Sequence, residues 1–401
     1  MSKKFQVVLF LSALLLSACG GGNYDTPSAT TMQPPPDVMP ADELVMQDVN
    51  RISSKQDFTL ALATDGTVYS WGANYHGQLG IGSQQNTFTP SQILGLSSVR
   101  AVQAGANWGT ALDKDGDVWA WGNNSVGQLG LSKVAFIAQP VKVQGISNVK
   151  AISNGAAHTL ALHNDGTVWG WGNINVTNLN VPTAVANLSD VKAVAAGASF
   201  SVALRKDGTV WTWGRNGLGQ LGTGSGFFSI QAMQVTGLSR VRAIAAGDYH
   251  VLALLEDGTV KSWGYNGSGQ LGNGTLVAAN RPVDVFGLTN IKAIAAGSYH
   301  SLAIRNDGSV LAWGEGYFGQ LGNGGSDNRV LPTNVYWIYN AVAVSAGYGH
   351  SAVLQSDGRV SSFGLNVYGA LGHPTSYKSN VPVDAVNVNG YGTMNFGTLP
   401  K

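Results

Sequence analysis

Apolar residues come in short runs separated by turn signals, and one fifty-residue stretch shows the logic. VRAIAAG (241–247) is short, apolar and small-sided, which suits an inner strand where neighbours crowd together. HVLALLEDG (250–258) runs into TVKSWG (259–264), with apolar side chains at alternate or continuous positions, the pattern of strands buried on one or both faces. The Asp-Gly pair between these two runs predicts a tight hairpin. A type I′ turn, with positive φ at both central residues, is the form expected. RPVDVFG (281–287) supplies a fourth, outer strand, and its proline fits an edge or the first strand position.

The same pattern returns along the chain. Asp-Gly pairs stand at 65–66, 115–116, 165–166, 207–208, 257–258, 307–308 and 357–358. Six residues after each Asp comes an aromatic residue followed by glycine: Trp71, Trp121, Trp171, Trp213, Trp263, Trp313 and Phe363. The period is 50 residues, with one interval of 42, and it defines units 49–98, 99–148, 149–190, 191–240, 241–290, 291–340 and 341–390. Internal repetition takes precedence over any single motif. Four strands in each of seven units predict an all-β fold, a seven-bladed β-propeller of four-stranded blades.

Repetition also disposes of a tempting motif. GSGQLG (267–272) has the spacing of a dinucleotide-binding fingerprint. No helical pattern follows it, and Gly-x-Leu-Gly recurs at 77–80, 127–130, 219–222, 319–322 and 369–372. The glycines serve tight turns, and the leucine is expected to tuck underneath. No cofactor is implied.

The pattern Ala296-Gly297-Ser-Tyr-His300-Ser-Leu-Ala, Asp307-Gly308, Trp313-Gly314, Gly319-Gln-Leu-Gly322 resembles the repeat of the regulator of chromosome condensation family. The resemblance covers 49–390, about 85% of the chain. It implies the seven-bladed propeller already read from the pattern. The family's founding members exchange guanine nucleotides on a small GTPase and bind chromatin, and similar folds occur in secreted bacterial inhibitors of β-lactamases. Fold alone does not choose among these roles.

Composition and the N-terminal residues narrow the choice. Residues 1–19, MSKKFQVVLFLSALLLSAC, have a basic start and an apolar run from Phe5 to Leu16. Twelve helical residues rise about 18 Å, too little for a hydrocarbon core of about 30 Å, so the segment predicts an export signal. Leu16-Ser17-Ala18-Cys19 resembles the bacterial lipobox, which implies cleavage before Cys19 and acylation of that cysteine with fatty acids such as palmitate. Gly20 stands where the inner-membrane retention signal usually has Asp, so the outer membrane is the expected location, with contact to the membrane through the lipid anchor only. Residues 19–43 are expected to form a flexible tether rich in Gly, Pro, Ser and Thr, followed by the propeller, 44–390, and a C-terminal tail, 391–401. The chain has 23 basic and 22 acidic residues. Removal of Lys3 and Lys4 with the signal leaves 21 against 22, a surface with no electrostatic footprint for nucleic acid. Cys19 is the single cysteine, so no intrachain disulfide framework is available.

Candidate sites follow from what varies among the repeats. His158, His250, His300 and His350 share one repeat position with Trp108, Phe200 and Phe58; such histidines are expected to pack between blades with one hydrogen bond each, and no metal site is predicted. The paired tryptophans of VWAW, VWGW and VWTW alternate along a strand and share a face. Unit three lacks eight residues at its Gly-Gln-Leu-Gly loop, which predicts a notch in one rim. The loops between third and fourth strands carry Phe88, Phe136, Ile137, Phe227 and Phe228, and NVYWIYN (334–340) puts Tyr336, Trp337 and Tyr339 where unit five has a glycine-containing link. Such aromatics are enriched in interface hot spots. They also suit a blade-edge cover or a contact with the tail. The expected function is a non-catalytic protein-interaction scaffold or inhibitor module with a protein partner in the cell envelope. The alternatives are a propeller binding glycan or peptidoglycan fragments and, against the export signal, a guanine-nucleotide exchange factor.

Overall fold

The structure, a computed structural model, describes residues 51–131, 134–174, 177–374 and 376–398. The signal at 1–18, Cys19, the tether and the first residues of the predicted propeller lie outside the described residues. Seven four-stranded antiparallel sheets follow one another, each strand pairing with its sequence neighbours. The blades span 52–92, 99–142, 149–184, 191–234, 241–284, 291–334 and 341–384, and each falls inside one sequence unit. The first strands of successive blades contact one another, and that of blade seven contacts that of blade one. The small-sided first strands are therefore innermost, where seven blades converge and bulky side chains would collide.

The Asp-Gly turns differ from the expected type. In blade five Leu255 N donates to Thr259 O at 2.9 Å and Gly258 N to Leu255 O at 3.0 Å. Gly258 has φ of +79°, while Asp257 has no positive φ. This is a three-residue loop, a type I turn followed by a left-handed glycine. Asp257 Oδ1 caps it, accepting from Thr259 N at 2.9 Å and Thr259 Oγ1 at 2.6 Å. These bonds hold the Asp257 carboxyl below its usual range, and a short acceptor side chain at this position suits every turn of the repeat.

Each blade is sealed to the next by a repeated seam. The leucines Leu79, Leu129, Leu221, Leu271, Leu321 and Leu371 are fully buried beneath their Gly-x-Leu-Gly loops. The indole Nε1 of Trp121 donates to Gln78 O at 2.8 Å, Trp263 to Gln220 O at 3.0 Å, Trp313 to Gln270 O at 2.8 Å and Trp71 to Ala370 O at 2.9 Å. Every acceptor lies on the preceding blade's loop, with blade seven preceding blade one. Gly222 shows why glycine is needed: φ is +67°, and an added Cβ would stand 2.7 Å from Trp263 Nε1. Partner tryptophans share the seam, as Trp119 packs with Trp121 against blade one.

The histidines form the second half of the seam. His158 Nε2 lies 3.0 Å from Ser201 Oγ, His250 2.8 Å from Ser301, His300 2.9 Å from Ser351, and His350 3.0 Å from Thr59 Oγ1. Ser301 Oγ donates its proton to Gln270 O, and Ser351 Oγ to Gln320 O. Those hydroxyls must accept from the imidazole, so His250 and His300 carry their proton on Nε2. The ring therefore serves blade-to-blade packing with one hydrogen bond, the role expected from the sequence.

Blade three modifies the seam. Its third strand, Val168–Ile174, turns directly into an outer strand, Thr177–Ala184. Ile174 is buried and packs with Trp213 where the loop leucine sits in other seams. The eight-residue deletion removes the loop without opening the core. Trp213 Nε1 has no acceptor among the described residues, and neither does Trp171 Nε1, whose neighbouring loop carbonyl at Gln128 accepts from Thr159 Oγ1 instead.

The tail is part of the ring rather than an appendage. Residues 391–398 return across blade seven through bridges Val386–Thr393 and Arg359–Asn395. Phe396 is fully buried between blades seven and one, 5.9 Å from Trp71 and 5.7 Å from Tyr69 between ring centroids. Its backbone is fastened on both sides: Phe396 N donates to Gly358 O, and Phe396 O accepts from Thr64 N and the Arg51 guanidinium. Sequence repeats thus close edge to edge without sharing strands, and the tail covers the joint.

Two outcomes test these seams. Phe396→Ala is expected to lower unfolding stability by about 3–5 kcal/mol, seen as a fall in urea midpoint with an unchanged slope. Burial depresses His158, His250 and His350 to about 4 and His300 to about 3, from 6.5. Neutral imidazole is the buried form, so this stability is complete above pH 6.5. It is lost as pH falls toward 4, by up to roughly 1.4 kcal/mol per pH unit for each histidine. Urea midpoints at pH 7.5 and 5.0 should differ accordingly, and His300→Gln should narrow the difference. A midpoint independent of pH across that window would remove the histidines from the seam's energetics.

Candidate interaction surfaces

Chain direction sorts the loops onto two faces. Links between blades share a face with the Asp-Gly turns, as Val241 N to Gly208 O and Ala341 N to Gly308 O show. The turns between first and second strands share the opposite face with the third-to-fourth loops, as Tyr265 N to Tyr249 O shows.

The link face carries Tyr336, Trp337 and Tyr339. Val335 and Ile338 are buried and pin the link from inside, so the residues between and beside them turn outward. Position 337 corresponds to Gly95, Gly145, Asn187, Gly237 and Gly287, all with positive φ. Trp337 keeps that backbone, with φ of +59°. A left-handed conformation costs a residue with a Cβ about 1–2 kcal/mol. Trp337 is nonetheless 64% exposed and Tyr339 72%, so neither recovers that cost by full burial. Tyr336 is partly covered: its N donates to Gly322 O and its ring lies over Gly324 and 6.0 Å from Trp337. It is thus partly a cover for the blade-six loop. The described part of the tail, 391–398, is held instead at Gly358 and Thr64.

The phenylalanines do not form one group. Phe88 and Phe136 belong to outer strands, Thr87–Gln92 and Phe136–Lys142, rather than to loops. The backbone at Phe88 lies against Gly369 of blade seven's loop, and Ile137 packs into the seam between blades two and three. Phe227 and Phe228 do lie in a loop, 82% and 62% exposed. They line an open cleft of about 460 Å³ with Ser199, Arg215, Asp248 and Tyr249. That cleft is on the opposite face from Trp337, as chain direction required.

A cluster missed in the sequence surrounds the mouth of the central channel. Lys55 of blade one reaches Asp248 of blade five at 3.1 Å. Ser298 Oγ of blade six donates to the same carboxylate at 2.5 Å. Burial opposes the Asp248 charge, yet Lys55 and Ser298 outweigh it and hold the carboxyl below its usual range. Above this pair sit Tyr249, Tyr265, Tyr299, Tyr348 and Phe318. Burial, then neighbouring Tyr249, pushes the Tyr299 phenol up to about 12, so it stays protonated. The available signal was the residue before each histidine, tyrosine in blades five and six but small or polar in blades two to four. Among the described residues no group of His, Cys, Asp and Glu could hold a metal ion.

A rigid ring of near-identical seams carrying unlike loops defines a seven-bladed propeller of repeated units. Residues 175–396 match the RCC1-like domain. Residues 65–112 and 115–162 match the regulator of chromosome condensation (RCC1) repeat, and 49–78, 99–128 and 149–176 match a second form of that repeat. The chain belongs to the RCC1-like repeat family. Among solved structures, Prp20p of Saccharomyces cerevisiae, described with its binding to Gsp1p and histones, is similar at 24% identity. It has a TM-score of 0.74 over 88% of this chain and 90% of that one. Human WBSCR16 is 21% identical, with a TM-score of 0.73 over 80% and 94%. At these identities the likeness establishes the propeller fold.

Trp337→Gly should separate strain from packing. Relief of about 1–2 kcal/mol of backbone strain, less about 0.5–1 kcal/mol for glycine's freedom in the unfolded chain, predicts a net gain of up to roughly 1.5 kcal/mol. Chemical denaturation of wild type and variant measures it. A destabilised variant would mean that Trp337 is held for packing.

Proposed function

We propose that this protein is a non-catalytic protein-interaction scaffold or inhibitor module, held at a bacterial envelope membrane through acylated Cys19. The observation that carries the reading is Trp337. A strained tryptophan, exposed at a position where the repeat uses glycine, is unfavourable for folding and suits a contact made outside the chain. Tyr336 and Tyr339 extend it into an aromatic patch of the kind that anchors protein interfaces. The partner is an envelope protein, and the nucleotide-exchange role of the family's founding members does not fit the export signal. Membrane attachment rests on residues 1–19 and their resemblance to a lipobox. Acyl chains contribute about 0.8 kcal/mol per buried methylene, and two or more hold a protein firmly.

In-cell crosslinking of the full-length chain, followed by mass spectrometry, tests both parts. One dominant envelope protein is expected, with its yield reduced by Trp337→Gly, while Cys19→Ser moves the chain out of the membrane fraction. Recovery of the same partner at undiminished yield from Trp337→Gly would exclude the aromatic patch as the contact.

A further inference from the structure

The mouth of the channel, on the face away from Trp337, carries two features that this reading does not use. The first is a continuous run of aromatic rings. Tyr249, Tyr299 and Tyr348 come from the inner turns of blades five, six and seven. Tyr265 and Phe318 come from the third-to-fourth loops of blades five and six. Ring centroids lie 5.6 Å apart for Tyr249–Tyr299, 6.2 Å for Tyr265–Tyr299, 6.1 Å for Tyr299–Tyr348 and 6.2 Å for Phe318–Tyr348. All five are half-buried, so part of each ring meets solvent. Blades two to four have Asn107, Ala157 and Ser199 before the repeat's histidine position, where blades five and six have Tyr249 and Tyr299. The propeller closes without aromatics there, so the fold does not require them.

The second feature is uncompensated charge. Asp57 and Glu315 are half-buried at this mouth. Tyr348 N donates to Gln56 O at 3.0 Å and Glu315 N to Tyr299 O at 2.9 Å, which sets both carboxylate-bearing residues beside the rings; burial first, then the charges of Glu315 and Asp57, holds the Tyr348 phenol above its usual range. Neither carboxylate takes part in an ion pair among the described residues, and Glu315 accepts only from Gln320 Nε2, at 3.0 Å. Lys55 is already matched by Asp248, and the other cation on this side, the exposed Arg215, lies in the adjoining cleft of Phe227 and Phe228. A half-buried carboxylate without a cation is unfavourable, and ring faces are electronegative. One guest satisfies both.

We infer that this aromatic basin receives a basic side chain, lysine or arginine, presented by a protein partner. The cation would lie against ring faces, an arrangement worth about 0.5–2 kcal/mol, with Asp57 and Glu315 supplying opposite charge. An anionic guest would meet those same charges with repulsion. The basin continues through Tyr249 into the cleft of Phe227 and Phe228, where the two rings offer apolar surface to flanking residues while Arg215 repels a second cation, so the guest's charge belongs on the Asp57 and Glu315 side. The site is separate from the Trp337 patch and does not depend on it.

The test titrates full-length chain in detergent micelles with three capped heptapeptides, Gly-Ser-Gly-X-Gly-Ser-Gly, in which X is lysine, arginine or norleucine. Lysine and arginine peptides should bind, and norleucine, of similar shape but uncharged, about tenfold more weakly or worse. Glu315→Gln should weaken the lysine peptide several-fold, Tyr299→Leu likewise, and Tyr299→Phe, which keeps the ring face, should retain binding. Trp337→Gly should leave the affinity unchanged. Equal binding of the norleucine peptide, full affinity in Glu315→Gln, or no saturation by any of the three peptides would each overturn the inference. Because Glu315→Gln keeps every ring in place, a folding defect in Tyr299→Leu cannot decide the result.

Discussion

The ring depends first on the packing of one buried aromatic per blade, tryptophan in six blades and Phe363 in the seventh, against the preceding blade, and in four seams an indole-to-carbonyl hydrogen bond reinforces it. A four-stranded sheet of this composition has two apolar faces and cannot bury both by itself. The indole fills the space between sheets, and a buried N–H there is better satisfied by an acceptor than left alone. The Gly-x-Leu-Gly loop meets both needs: leucine seals the gap and the carbonyl before it takes the proton. The imidazole–hydroxyl pairs repeat the same solution nearer the axis. Blade three shows what the seam tolerates, since Ile174 replaces the leucine but nothing among the described residues replaces the carbonyl.

Closure is the weak point of any ring made from a linear chain. Other seams are joined by a covalent link, but the one between blades seven and one is not. It has the full set of seam contacts, including His350 with Thr59 and Trp71 with Ala370. Phe396 adds a wedge there that no other seam has. The backbone hydrogen bonds on either side of Phe396 hold strands from both ends of the domain, so the tail ties the ends without exchanging a strand.

The seams are uniform because geometry around the ring leaves no choice, and the two faces differ because nothing constrains their loops except solubility. One face presents a strained tryptophan with two tyrosines. The other presents a half-ring of tyrosines with buried acid beneath. Their positions on opposite faces allow two partners, or two parts of one partner, to be engaged at once.

Strand number, blade number, the inner position of VRAIAAG and the structural role of the histidines were all legible in the sequence. Each rests on local pattern repeated seven times, and repetition averages out local ambiguity. Trp337 was legible too, as an exception to the repeat. The turn type was not, because Asp-Gly fits either a two-residue or a three-residue hairpin and the cross-strand register decides between them. Phe88 and Phe136 could not be told from loop residues, since strand ends depend on pairing with a neighbour. The tail's role and the tyrosine basin were invisible for a common reason. Phe396 meets Trp71 across most of the chain's length and Lys55 meets Asp248 across nearly half of it, and only closure of the ring brings such distant residues into contact.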